Sequence, residues 1–101
     1  MTPARGKFVL RVPNHVAAVL KKLHPTIKSH IRSGLRTIIE DPYRGKALKD
    51  ELQGLRSYRV KRYRIIYRIS FDKREIEIVT IGPRRIIYEE TFRLLSKNQD
   101  S

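Results

Sequence analysis

The 101 residues carry 23 Lys and Arg against 10 Asp and Glu, a formal charge of +13, and suffice for one domain with a single core but not for two. A hydrophobic fraction of 40% spread along the whole chain excludes a disordered basic tail, and the absence of cysteine excludes disulfides and thiolate chemistry. The positive excess attracts polyanions, so nucleic acid, an acidic protein or both are the expected partners, while the lack of a long apolar run argues against a membrane span or signal peptide and for a cytoplasmic protein.

In chain order, KFVLRV alternates, with Phe8, Leu10 and Val12 on one side, and predicts a half-buried strand. Pro13 and Asn14 end it. Asn14 is placed to cap a helix over HVAAVLKKL, where Val16, Val19, Leu20 and Leu23 recur at helical spacing. Pro25 forces a boundary, after which Ile27, Ile31, Leu35 and Ile38 share one face up to Pro42. These two helices are expected to form an antiparallel pair. Residues 43 to 54, of mixed charge and containing Gly45 and Gly54, read as a loop with room for a turn of helix.

Beyond Gly54 the period changes to two. Tyr58 and Val60 share one parity, whereas Tyr63, Ile65, Tyr67 and Ile69 share the other, and a single continuous strand would put half of them on the wrong face. A two-residue turn at Lys61-Arg62 restores the phase: it pairs Tyr58 with Ile65 on the core face and sets Arg59 opposite Arg64 on the other. Neither turn residue is the Asn or Gly that tight hairpins favour, which leaves a bulge or longer turn open.

The polar link SFDKRE leads to a third sheet segment, EIEIVTIG, closed by Gly82-Pro83. RRIIYEETFRLL reads as a brief strand continuation that turns helical, and the polar tail over residues 96–101 is expected to fray. The order strand, helix, helix, then sheet predicts an α+β fold: one domain over residues 1–101, with a helical hairpin packed on a mostly antiparallel sheet of about four strands and a short C-terminal helix.

Like charges facing each other across a hairpin cost some tenths of a kcal/mol, so Arg59 opposite Arg64 is a structural expense. Arg56, Lys61, Arg62 and Arg68 lie on the same hairpin, and Arg84-Arg85 end the adjoining strand, making the charge local as well as compositional. A basic sheet flanked by tyrosines suits RNA better than duplex DNA, since no recognition helix is evident and unpaired bases stack on rings. Arginine forks bind phosphate oxygens in pairs but cannot move protons. Tyr88, just past the arginine pair, is the better placed proton-transfer group, whereas Tyr63 and Tyr67 have core parity. The three histidines, His15, His24 and His30, lack metal-binding spacing and read as exposed helix positions; no metal or cofactor is expected. Glu75 with Glu77, and Glu89 with Glu90, have no assigned cleft for paired-carboxylate chemistry.

ALKDELQGLRSYRVKRYRIIYRI followed by EIVTIGPRRIIYEE resembles the RelE/ParE superfamily of bacterial and archaeal toxins, and VAAVLKKLHPTIKSHIRSGLRTIIEDP extends the likeness over most of the chain. For RelE-type members the resemblance implies a metal-independent, ribosome-dependent endoribonuclease that cuts messenger RNA by 2′-hydroxyl attack, held in check by a cognate antitoxin. By position it implies that Arg59, Arg64 and Arg84 stabilise the scissile phosphate and that Tyr88 assists proton transfer or stacks on a base. Arg56, Lys61, Arg62, Arg68 and Arg85 are then RNA-binding candidates.

This chain departs from the RelE pattern at three places. Ser57 stands where relatives often carry a second basic residue, with Arg56 or Lys61 as possible replacements. Lys61-Arg62 stands in a turn commonly containing Gly, and Pro83 stands where many relatives have His. The alternatives are a ParE-type gyrase inhibitor without RNA chemistry and a non-catalytic basic RNA-binding module.

Overall fold

Alternating apolar residues build five strands into one sheet in the computed structural model, which describes residues 8–85 and 87–99. The strands are β1 (Val9–Arg11), β2 (Lys46–Ala47), β3 (Arg56–Val60), β4 (Tyr63–Ser70) and β5 (Glu75–Pro83), in the order β1-β5-β4-β3-β2. β1 runs parallel to β5, and the other neighbours are antiparallel. The α+β class is as expected. The strand count is one higher than expected, because Lys46–Ala47, inside the segment read as a loop, pairs with Arg56 and Ser57 at the sheet edge. The same segment holds two 3₁₀ turns, Pro42–Arg44 and Asp50–Leu52.

The hairpin register follows the parity argument. Tyr58 pairs with Ile65, Arg59 with Arg64 and Val60 with Tyr63, so Lys61 and Arg62 form the turn. Lys61 takes the left-handed conformation itself, at φ 57°. Between β4 and β5 the register slips after Ile66: Ile66 pairs with Thr80 and Tyr67 with Ile78, leaving Val79 as the extra residue of a bulge. His15 Nε2 donates to the Val79 carbonyl at 2.8 Å and gives it a partner.

Helices α1 (Asn14–Lys22) and α2 (Pro25–Glu40) cover one face of the sheet, α1 against β5 and α2 against β3. Asn14 is the first helical residue of α1 and not its cap; Pro13 holds that position and makes no side-chain capping bond. α2 is capped by His24, whose Nδ1 accepts from the Thr26 N–H at 3.1 Å. Val16, Ile31, Leu35 and Ile38 close on Val60, Ile65, Tyr67, Ile76, Ile78 and Ile81. Each fully buried isoleucine among them contributes about 1.5–3 kcal/mol relative to exposure. A Cβ on Gly34 would stand 2.7 Å from Val60 Cγ2, so glycine there lets α2 lie directly on β3.

The opposite, outer face carries a smaller cluster of Leu55, Ile66 and Ile87 with Leu48, Leu52, Val79 and Leu95. It is covered by the expected C-terminal helix, α3 (Ile87–Gln99), of 13 residues. The helix extends to Gln99, into the segment read as a polar tail; residues 100–101 lie outside the described residues. None of the helices among the described residues is long and apolar enough to cross a membrane.

Candidate functional site

Side chains directly opposite one another in neighbouring strands share a face, so the register assembles the outer surface row by row. One row holds Arg59, Arg64 and Gly82; the next holds Lys46, Ser57, Ile66 and Thr80. Glycine at 82 matters, because a Cβ there would sit 2.9 Å from Ile87 Cδ1. The first turn of α3 therefore rests on the strand and carries Tyr88 across the same face.

Three side chains converge there. Ser57, 2% exposed, accepts from Arg64 Nη1 at 3.0 Å and from the Tyr88 hydroxyl at 3.3 Å. Arg64 is half-buried, and its Nε is buried with no hydrogen-bond partner among the described residues. A buried donor left unpaired costs about 1–3 kcal/mol, a local penalty of the kind found at binding sites. Tyr88 is 37% exposed, so its ring is open to an incoming ligand while its hydroxyl is held over Ser57.

The other candidates are less tightly grouped. Arg59 shares the face of Arg64, but its Nε donates to the Lys61 carbonyl at 3.3 Å, drawing the guanidinium toward the turn. Lys61 and Arg62 are exposed at that turn, and Arg84, whose N–H donates to the Arg62 carbonyl at 2.8 Å, is exposed beside it with Arg85. The basic turn and the end of β5 thus form one cationic rim at the Arg64 end of the face.

Two candidates stand apart from this group. Arg56 pairs with the core-facing Tyr67 and therefore points to the helix side, where it donates to the carbonyls of Gly45 and Tyr43 and lies over the Tyr43 ring. Arg68 is on the outer face further along β4, with Nε and Nη2 both bonded to Glu77 Oε1. Neither Arg56 nor Lys61 flanks Ser57 as a replacement cation. The basic residue directly across from Ser57 is Lys46, which sequence reading missed because a two-residue strand leaves no periodic trace.

Glu75 and Glu77, which alternate on β5, are each drawn to an arginine: Arg11 to Glu75 at 3.7 Å and Arg68 to Glu77 at 2.9 Å. Tyr67 is a packing residue, as its parity indicates. Burial pushes its hydroxyl pKa up, against the lowering effect of the Gly45 hydrogen bond and of Arg56.

Chemically, the cluster offers a guanidinium for anionic oxygens, a hydroxyl poised beside it, and a phenol able to donate or accept. Arginine stays protonated, so only Tyr88 and Ser57 of this trio can exchange protons.

The model of a family described as ParE-like toxin of type II bacterial toxin-antitoxin system matches residues 10–91. No curated protein matches the chain significantly. Among solved structures, the chain is similar to the RelBE2 toxin-antitoxin complex of Mycobacterium tuberculosis, with 28% identity, 76% of this chain and 91% of that one covered, and a TM-score of 0.70. It is also similar to a mutant of the Escherichia coli toxin RelE in the free state, with two arginines replaced by alanine, at 17% identity, coverage of 90% and 96%, and a TM-score of 0.72. A YoeB/ParE toxin from Agrobacterium tumefaciens matches at 18% identity, coverage of 75% and 98%, and a TM-score of 0.65.

Proposed function

Since the chain belongs to the ParE-like toxin family of type II bacterial toxin–antitoxin systems, we propose that its target is RNA and that it is a ribosome-dependent, metal-independent endoribonuclease restrained by a cognate antitoxin. The observation that carries this reading is the convergence of Arg64 and Tyr88 on the buried hydroxyl of Ser57. Gyrase inhibition requires no proton-transfer group beside a strand-held guanidinium, whereas RNA cleavage does.

In the proposed reaction the 2′-oxygen gives its proton to a water molecule and bonds to the adjacent phosphorus. The bond from phosphorus to the 5′-oxygen breaks, and that oxygen takes up a proton, leaving a 2′,3′-cyclic phosphate and a 5′-hydroxyl. Arg64 faces the phosphate and stabilises the charge that grows on its non-bridging oxygens, an effect largest in a site sheltered from water. Arg59 and Arg84, on the rim, draw in the backbone and add to that field. The Tyr88 hydroxyl supplies the proton to the leaving oxygen, and Ser57 holds both Arg64 and Tyr88 in position. The messenger RNA on the ribosome is the substrate, and the antitoxin is expected to carry acidic or amphipathic segments that cover this cationic face.

The second reading is gyrase inhibition of the ParE type, for which the likeness named in the family description is the support. Mapping transcript ends after brief induction, with a gyrase supercoiling assay in parallel, separates the two. New 5′ ends within translated frames, lost in Arg64→Ala and reduced by about 10²-fold or more in Tyr88→Phe, are the expected result. Inhibited supercoiling with intact transcripts would overturn the nuclease reading.

A further inference from the structure

The row that brings Ser57 into the site continues one strand further, to the sheet edge. Lys46 of β2 is the direct partner of Ser57 of β3, so it leaves the sheet on the face that carries Arg64 and Tyr88. Its neighbour Ala47 pairs with Arg56 and belongs to the opposite face, which leaves Lys46 as the one side chain of this short strand directed to the site. Lys46 is exposed, and among the described residues neither it nor nearby Lys49 takes part in an ion pair.

The surface beside Lys46 is concave. A groove of about 380 Å³ is lined by Lys46, Ala47, Leu48, Lys49, Asp50 and Leu52 together with Tyr88. Its size falls in the range of about 300–1,000 Å³ typical of ligand clefts. Apolar residues and one aromatic ring form part of its lining, and two ammonium groups against the single carboxylate of Asp50 leave it net cationic. That combination suits a nucleotide, with its base on the ring and its phosphate at the cations.

We propose that Lys46 is a second phosphate-binding residue of the same site, holding the backbone phosphate next to the scissile one while the attached nucleotide lies in the groove toward Tyr88. This rests on the nuclease reading given above. The chain would then be gripped from two directions, by Arg64 and the arginine rim at one end of the face and by Lys46 at the other, with Ser57 and the Tyr88 hydroxyl between them. An edge lysine also serves to discourage strand pairing between molecules. That role is indifferent to which face the side chain takes and is shared by any charged residue, so the two roles make different predictions.

The test compares cleavage of one defined transcript in a translating extract by the wild type, Lys46→Gln, Lys46→Arg, the remote control Lys73→Gln and the inactive reference Arg64→Ala, with thermal melts confirming that each is folded. Loss of a charge-assisted contact predicts that Lys46→Gln cleaves about tenfold more slowly or worse, that Lys46→Arg stays within about threefold of wild type, and that Lys73→Gln is unchanged. Lys46→Gln indistinguishable from Lys73→Gln, beside an active wild type and an inactive Arg64→Ala, would overturn the role of Lys46 and leave the nuclease reading standing. An equal loss in Lys46→Gln and Lys46→Arg would overturn it too, as phosphate binding tolerates either cation. A wild type that leaves the transcript intact would overturn the nuclease reading first, and the inference with it.

Discussion

Arg59 and Arg64 stand directly across the β3–β4 hairpin from each other on the outer face, two guanidiniums in the one cross-strand position where their repulsion is greatest. Arg59 is exposed and turned toward the Lys61 carbonyl, whereas Arg64 is half-buried and bonded to Ser57, so the two guanidiniums are drawn to different partners. A polyanion between them converts the repulsion into joint attraction.

Arg59→Glu is therefore predicted to stabilise the free protein while weakening its function. Replacing a like pair by an opposite pair across a hairpin is worth about 0.2–1 kcal/mol, readable as a higher urea midpoint at unchanged slope. Cleavage should fall in the same variant, because the new carboxylate repels the phosphate. A variant both less stable and fully active would show that the pair has no anion to hold.

The turn leads to a second prediction. Lys61 adopts φ 57°, where a Cβ costs an L-residue about 1–2 kcal/mol, whereas glycine adopts it freely but gains flexibility when unfolded. Lys61→Gly should consequently raise stability by up to about 1 kcal/mol in a denaturation series, and Lys61→Val should lower it. If Lys61 also contributes to RNA attraction, the glycine variant will show the gain in stability together with a weaker response to lowered salt.

How much of this was legible beforehand depended on whether the signal was local. The parity change between Val60 and Tyr63 fixes a hairpin because side chains alternate strictly, and the observed pairs follow it. The same logic was available in β5, where Ile76 and Ile78 share one parity and the core residue Ile81 the other; that slip marks the bulge at Val79, which the reading of EIEIVTIG as one regular strand passed over. β2 was illegible because two residues carry no period, and it exists only through its partners on β3. The His24 cap was unexpected since histidine is not among the preferred capping types, and Pro25 at the first helical position was the stronger clue. The candidate site was half legible. Arg64 and Tyr88 could be singled out from residue type and position. Their meeting at Ser57, which is 31 residues from Tyr88, depends on how α3 lies across β5.

Tyr67 supports a third prediction, about stability alone. Its buried hydroxyl accepts from the Gly45 N–H at 2.9 Å and donates to the Pro42 carbonyl at 2.6 Å, tying the segment before β2 to the centre of the sheet. Tyr67→Phe leaves both backbone groups without that partner and should cost about 1–3 kcal/mol. There is a pH signature as well. The folded-state pKa is raised above the ordinary tyrosine value, chiefly by burial, so the folded protein holds this proton more tightly than the unfolded chain. The corresponding stability is fully present below about pH 10, the ordinary tyrosine pKa, and is lost as pH rises from there through the higher folded value. Urea midpoints measured from pH 8 to 11 should fall more steeply for the wild type than for Tyr67→Phe.

Gly82 links packing to the site most directly. It lies opposite Arg64 under the start of α3, where an added Cβ would meet Ile87 Cδ1 at 2.9 Å. Ile87 is fully buried, so its side chain has little space into which to withdraw. Gly82→Ala should lift the first turn of α3 and cost about 1–3 kcal/mol by overpacking. Since Tyr88 follows Ile87, the same movement takes its hydroxyl away from Ser57, and a shift of about 1 Å in a positioned group can cost about 10²-fold in rate. Gly82→Ala is thus expected to lose more activity than its stability loss explains, assayed at a temperature where it remains folded. Adding Ile87→Val, which shortens the obstructing side chain, should recover part of both. If the single variant cleaves normally while destabilised, α3 does not position Tyr88 and the role of that residue must be reassigned.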